Sequence, residues 1–118
     1  MSKIESGRQG EAAVVEYMRA RGMTIVGTNV RMGRLELDII ARVSGVLIIC
    51  EVRSRGAGGP NPAWMFNRKK QEHVRRAALL YWTKNARGMA LRLDAAAVTL
   101  SAFGPRVQYF ENVFGLDR

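Results

Sequence analysis

The sequence holds a single cysteine, Cys50, and a single histidine, His73. One cysteine excludes a disulfide framework and a thiolate metal cluster. One histidine excludes a His-rich metal site and argues against a Ser/His/Asp triad. No run approaches the roughly 20 apolar residues that a membrane span needs. The opening Met1-Ser2-Lys3-Ile4-Glu5 has no apolar core of a secretory signal, so a soluble cytoplasmic protein without a membrane partner is expected. Acidic residues are scarce: 10 Asp and Glu stand against 19 Lys and Arg. What remains for chemistry is carboxylates, basic side chains and whatever they bind.

The 118 residues are 47% apolar and 25% charged, which suits one compact domain able to bury a core. The net charge of +9 points to a polyanionic partner, because basic residues that neutralise phosphates release condensed counterions. Nucleic acid ranks ahead of a membrane surface. The plainer reading of basicity alone is a solubilising surface.

Ser6 and Gln9 have capping-box spacing, and Glu11, Val14, Val15 and Met18 follow at helical intervals. A helix is predicted over about 7–21, stopped by Gly22. Met23 to Val30 reads as a strand with Gly27 as a bulge, followed by a loop over Arg31-Met32-Gly33-Arg34. Leu35 to Val43 and Val46 to Arg53 flank Ser44-Gly45, the strongest hairpin signal in the chain. The stretch 56–62 is too rich in glycine and proline for helix or inner strand and reads as a flexible loop or lid. A second helix is predicted over about 67–86, with Val74, Ala77, Ala78, Tyr81 and Asn85 on one stripe. Ala90 to Leu100 and Arg106 to Val113 read as strands joined at Phe103-Gly104-Pro105. The result is an α/β fold with this hairpin at the centre of the sheet.

A two-residue turn at Ser44-Gly45 sets Asp38 opposite Glu51 and Glu36 opposite Arg53. Leu35, Leu37, Ile39, Ala41 and Val43 then share one apolar face with Val46, Ile48, Cys50 and Val52, while Glu36, Asp38, Glu51 and Arg53 share the other. Ser44 leaves the turn open between a two-residue and a bulged form. Facing carboxylates repel, so a raised pKa or a bound cation must compensate. Hard oxygen ligands suit Mg²⁺ or Mn²⁺, which bind through one or two carboxylates and use substrate phosphates for the rest. Such ions serve phosphodiester hydrolysis. The competing reading pairs Glu51 with a neighbouring Arg and leaves Asp38 at a wet sheet edge.

At these residues the sequence resembles the restriction-endonuclease-like, PD-(D/E)xK superfamily, with Asp on one strand and Glu-x-Lys on the next. More narrowly it looks like the YraN family of bacterial proteins. The segments that carry this likeness are Gly7-Arg8-Gln9-Gly10-Glu11, Asn29-Val30-Arg31, Leu35-Glu36-Leu37-Asp38-Ile39-Ile40, Cys50-Glu51-Val52-Arg53-Ser54-Arg55, and Lys70 ahead of Ala77-Ala78. The resemblance implies a mixed central sheet flanked by helices, with Asp38 and Glu51 at its metal-binding edge. Leu35 stands where the pattern has Gly, and Arg53 where it has Lys. Arg stays charged and can clamp phosphate or stabilise a transition state, but cannot serve as a base. A metal-dependent endonuclease acting on DNA, branched or damaged forms included, and a catalytically silent binding or interaction module with the same fold are therefore both open.

Asp38, Glu51, Arg53 and Glu11 form the candidate catalytic set, and Asp38, Glu51 and Glu36 the candidate metal ligands. Glu11 projects towards the sheet as a third carboxylate, or simply as a first-turn acid favoured by the helix dipole. Arg8, Arg31, Arg55, Arg68, Lys69, Lys70, Arg75 and Arg76 form the candidate nucleic-acid contacts, which position phosphate without reading sequence. Lys70 is also placed to stand in for the missing Lys. Trp64, Phe66 and Trp82 read as core more readily than as base-stacking rings, and His73 and Cys50 read as structural. The oligomeric state, a dimer included, is not fixed by the sequence.

Overall fold

The computed structural model describes residues 3–56 and 68–113. Helix α1 spans Lys3–Ala20, so it begins ahead of Ser6 and not at it as expected. It ends where the sequence places a stop. Gly22, at φ 83°, donates its N–H to the Arg19 carbonyl at 3.0 Å, and Met23 donates to the Met18 carbonyl at 3.1 Å. That pattern satisfies the last helical carbonyls and needs a left-handed residue, which glycine supplies without a Cβ clash.

Strands β1 (Thr24–Met32), β2 (Leu35–Val43) and β3 (Val46–Gly56) form a meander. β1 runs further than expected: the predicted loop contracts to a tight turn at Gly33-Arg34, because Met32 still pairs with Leu35. The irregularity expected at Gly27 is present as a register shift between Ile25 and Gly27. Between β2 and β3, Ser44 at φ 45° and Gly45 at φ 76° give the two-residue turn whose twist matches a right-handed hairpin. Facing residues from Val43 and Val46 to Ile39 and Cys50 have the expected register.

Helix α2 (Arg68–Asn85) then crosses over to β4 (Ala90–Ser101), which pairs parallel to β3, and β5 (Gly104–Phe110) returns antiparallel. Two residues, Ala102 and Phe103, make that turn. Gly104 and Pro105 therefore belong to β5, contrary to the sequence reading, and β5 ends at Phe110 rather than Val113. Pro105 is tolerated because β5 is an edge strand and its missing N–H interrupts no inner ladder. The strand order is β1-β2-β3-β4-β5, an α/β fold with a mixed sheet flanked by two helices and compatible with a restriction-endonuclease-like fold.

Each face of the sheet has its own core. Val14 and Met18 of α1 pack with Ile39, Ile48, Cys50, Val52, Ala96 and Val98. Val74, Ala77 and Ala78 of α2 pack with Leu37, Ile40, Leu47, Ile49 and Leu93. Leu37 and Leu35 therefore lie on the α2 side, not on the face of Ile39 as expected. The strand's alternation breaks at Asp38, whose neighbour across β1 is Asn29, a non-glycine residue at φ 52°. The 38/29 pair drops out of the β1–β2 ladder. The β2–β3 ladder ends at Ile39 and Cys50, so neither the expected Asp38–Glu51 pair nor the Glu36–Arg53 pair forms as a ladder pair. β3 continues beside β4 alone, as far as Gly56 opposite Leu100. Among the described residues, no helix is long and apolar enough to cross a membrane.

Candidate active site

Where β2 and β3 stop pairing, two carboxylates take over. The Asp38 amide donates to Glu51 Oε2 at 3.1 Å, and the Val52 amide donates to Asp38 Oδ2 at 2.8 Å. Each side chain thus satisfies a backbone donor on the opposite strand, which a splayed ladder would otherwise leave without a partner. Glu51 is 1% exposed. A carboxylate so buried is held ionised only by close positive charge or N–H donors. One cation is at hand: Lys70 Nζ lies 3.4 Å from Glu51 Oε1.

The electrostatics follow from this crowding. Burial, then the Asp38 charge, pushes Glu51 up to about 7, against the lowering effect of the Asp38 amide and Lys70. Burial also raises Asp38, opposed by the Val52 hydrogen bond and by the charges of Lys70 and Arg53, while Glu36 adds to the rise. Glu11 is raised by burial despite accepting from Asn29 Nδ2 at 2.8 Å, and the charges of Asp38 and Glu36 push it further. Both carboxylates of the hairpin are thus biased towards protonation or an added cation.

The proposed site residues divide by place. Glu11, Glu36, Asp38, Glu51, Arg53 and Lys70 are electrostatic neighbours, linked through Asp38 or Glu51. Glu36 is exposed and pairs in the β1–β2 ladder with Arg31. Arg53 is half-buried on β3 beside Ala97. Arg55 lies two residues on, half-buried and opposite Thr99. Arg8, Arg68 and Lys69 are exposed. Arg75 donates to Gln71 at 3.5 Å, and Arg76 sits with Leu79, Leu80, Thr83 and Lys84 along an outer groove of α2. Arg75 is half-buried and Arg76 exposed on α2. The predicted lid over 56–62 falls almost wholly outside the described residues, as do Trp64 and Phe66. Trp82 is structural: its Nε1 donates to the Met89 carbonyl at 2.8 Å. Cys50 is buried and His73 exposed.

Three residues were given no individual role by the sequence reading. Asn29 tethers Glu11, and its left-handed backbone is invisible until β1 and β2 are paired. Gly10 lets α1 approach the sheet: a Cβ there would stand 2.9 Å from Ser54 Cβ, too close for any real contact. That approach brings Glu11 over the hairpin. Asp94 is wholly buried, and the signal for it was readable as Arg92-x-Asp94 in an apolar strand, since residues two apart share a face. Arg92 grips it with two hydrogen bonds of 2.9 and 2.8 Å, Tyr109 donates its hydroxyl, and the Asn112 amide donates at 2.9 Å. Asp94 is saturated with donors and is an anchor for β5.

Among the described residues, no three His, Cys, Asp or Glu side chains form a group able to hold a metal by themselves. A donor set of two carboxylates still fits Mg²⁺ or Mn²⁺, which keep several waters and complete their shell with substrate phosphate.

Comparison with known proteins places this architecture. A UPF0102 protein of Sorangium cellulosum is 42% identical over 103 residues, 83% of this chain and 72% of its own. One of Oleidesulfovibrio alaskensis is 38% identical over 104 residues, 86% of this chain but 52% of its own length. One of Persephonella marina is 34% identical over 113 residues, 94% of each. The model of the uncharacterised protein family UPF0102 matches residues 10–98, from Gly10 at the α1–sheet contact to Val98 in β4. The chain therefore belongs to the uncharacterised protein family UPF0102.

Proposed function

We propose that this chain binds nucleic acid, DNA ahead of RNA, and hydrolyses phosphodiester bonds at the Asp38–Glu51 pair with Mg²⁺ or Mn²⁺ as cofactor. The observation that carries this reading is the reciprocal carboxylate pair at the point where β2 and β3 part, buried enough to push Glu51 up to about 7. Asp38 and Glu51 would hold the ion, with Glu36 and Glu11 adding negative charge around Asp38. When bound, the ion supplies Lewis-acid polarisation of the phosphoryl oxygen. Arg53, always charged, clamps phosphate near Asp38. Lys70, held beside Glu51, adds a positive charge for the developing charge of the transition state. The exposed cations Arg8, Arg31, Arg68 and Lys69, with Arg55, position the strand.

Incubation with linear, nicked, flapped and four-way-junction DNA, and with RNA, in Mg²⁺ and Mn²⁺ tests the reaction. Cleavage by wild type that disappears in Asp38→Ala is expected; cleavage that persists comes from a contaminant. Mn²⁺ at a hundredfold excess over Kd should stabilise wild type by about 2.7 kcal/mol, a rise of several degrees in melting temperature for a domain of this size. Asp38→Asn should show no such rise. An equal shift in both proteins would put the ion elsewhere.

A second reading has its own observation. Glu51 already spends one oxygen on the Asp38 amide and the other on Lys70, and Arg53 replaces the expected Lys. On this reading the wild-type protein binds the same substrates and cleaves none of them in either Mg²⁺ or Mn²⁺.

A further inference from the structure

The β4–β5 hairpin ends in an unusual exposure. Phe103 is 101% exposed, although a phenyl ring is among the side chains with most to gain from burial. Its backbone is not loose. The Ser101 hydroxyl donates to the Gly104 carbonyl at 3.1 Å and accepts from the Phe103 amide at 3.2 Å. The turn therefore presents the ring from a fixed two-residue corner.

Beside the ring lies a groove of about 450 Å³ lined by Thr99, Ser101, Phe103, Gly104, Pro105 and Arg106. Among the described residues, one aromatic, one guanidinium and two hydroxyls line it, and no acidic side chain does. Its position in the sheet matters as much. Val107 and Tyr109 of β5 pack towards α1, so Arg106 points to the α2 side. Arg106 pairs with Thr99, and Thr99 with Arg55. These three residues form a row across three strands on the face that also carries Glu51, four residues before Arg55 and about 13 Å along the strand.

We propose that the tip of the β4–β5 hairpin is a nucleotide subsite, in which Phe103 stacks on an unpaired base and Arg106 meets its phosphate, the strand then following the row towards Glu51. This rests on the nucleic-acid reading above and names its substrate class: strands with unpaired bases. Aromatic stacking tolerates any base, because every base has a π-face, and it needs a base released from a duplex. The net charge of +9 complements the phosphate chain. A lipid surface would be met by several apolar side chains, whereas this turn presents Phe103 alone.

The test is binding of a short labelled single-stranded oligonucleotide and of covalently closed circular duplex DNA, at fixed low salt, to wild type, Phe103→Ser and Phe103→Trp. Phe103→Ser should weaken the single-strand complex by about 5- to 150-fold, the loss produced by removing one base–aromatic stack, with duplex affinity unchanged. Phe103→Trp should restore binding, with its added emission quenched by the oligonucleotide. Phe103 touches no core, so both variants should fold. Wild-type affinity of Phe103→Ser for the single strand would overturn the subsite and leave the nucleic-acid reading standing. Failure of wild type to bind either DNA would remove that reading and the subsite with it. Capture of wild type but not Phe103→Ser by anionic vesicles would assign the tip to lipid and overturn the proposal.

Discussion

Asp38 and Glu51 are bonded to each other's strands through N–H donors, yet their charges oppose. Glu51, raised to about 7, carries its proton in the folded chain at pH values where the unfolded chain has released it. The folded state then binds more protons than the unfolded one, so this part of the stability is fully present below the ordinary glutamate pKa and is lost as pH rises through about 7. Between pH 4.5 and 8 the melting temperature of the metal-free protein should therefore fall. Asp38→Asn keeps an oxygen for the Val52 amide and removes the charge that is the second cause of the Glu51 shift. It should flatten the profile and be more stable than wild type near neutral pH, and a parallel decline in both proteins would sink this account. The nearness of the two residues was legible from the turn and the register it sets, though they are not the ladder pair expected. Their hydrogen bonds to opposite backbones were not, because alternation assumes a continuous ladder and this one ends at Ile39.

The elements place the site by close approach rather than by long side chains. α1 rests on β3 at Gly10, where a Cβ would meet Ser54 Cβ at 2.9 Å and Ser54 Oγ at 3.1 Å. Gly10→Ala should destabilise by about 1–3 kcal/mol, the usual effect of overpacking a close contact, visible as a lower urea midpoint. Ser54→Gly removes the opposing atoms, so in the double variant most of that loss should return. Additive losses would show that the contact is not the cause. The glycine was visible in the sequence, but its partner lies 44 residues away in the numbering, and no local pattern links them. The β2–β3 turn was legible because Ser-Gly between two apolar runs is a local signal. The face change at Asp38 was not, since it depends on the backbone of Asn29 in another strand. Pro105 misled for a related reason: it breaks an inner strand but not an edge.

Across the whole molecule the charge is lopsided, 19 basic residues against 10 acidic, and four of those acids are Glu11, Glu36, Asp38 and Glu51. The rest of the surface is more basic still. The logarithm of nucleic-acid affinity should fall linearly with the logarithm of salt concentration, with a slope near −0.9 for each duplex phosphate neutralised. Reversal of Arg75 and Arg76 to Glu should weaken all sequences alike and reduce that slope. A plot flat in salt would remove the electrostatic basis for nucleic-acid binding.

In the sheet, strand order repeats chain order, β1 to β5, so during synthesis each strand can be laid against the one before it, with no later strand slipped between two already joined. The first three close through local turns, which form early because little chain entropy is lost. Asp38 and Glu51 can therefore be brought together before α2 and β4 cover them. α2 and β4 arrive afterwards, bringing Lys70 to Glu51 and completing its burial. A nascent chain halted before α2 would already hold both carboxylates of the pair, but with neither the counter-charge nor the dry surroundings that give the finished site its chemistry.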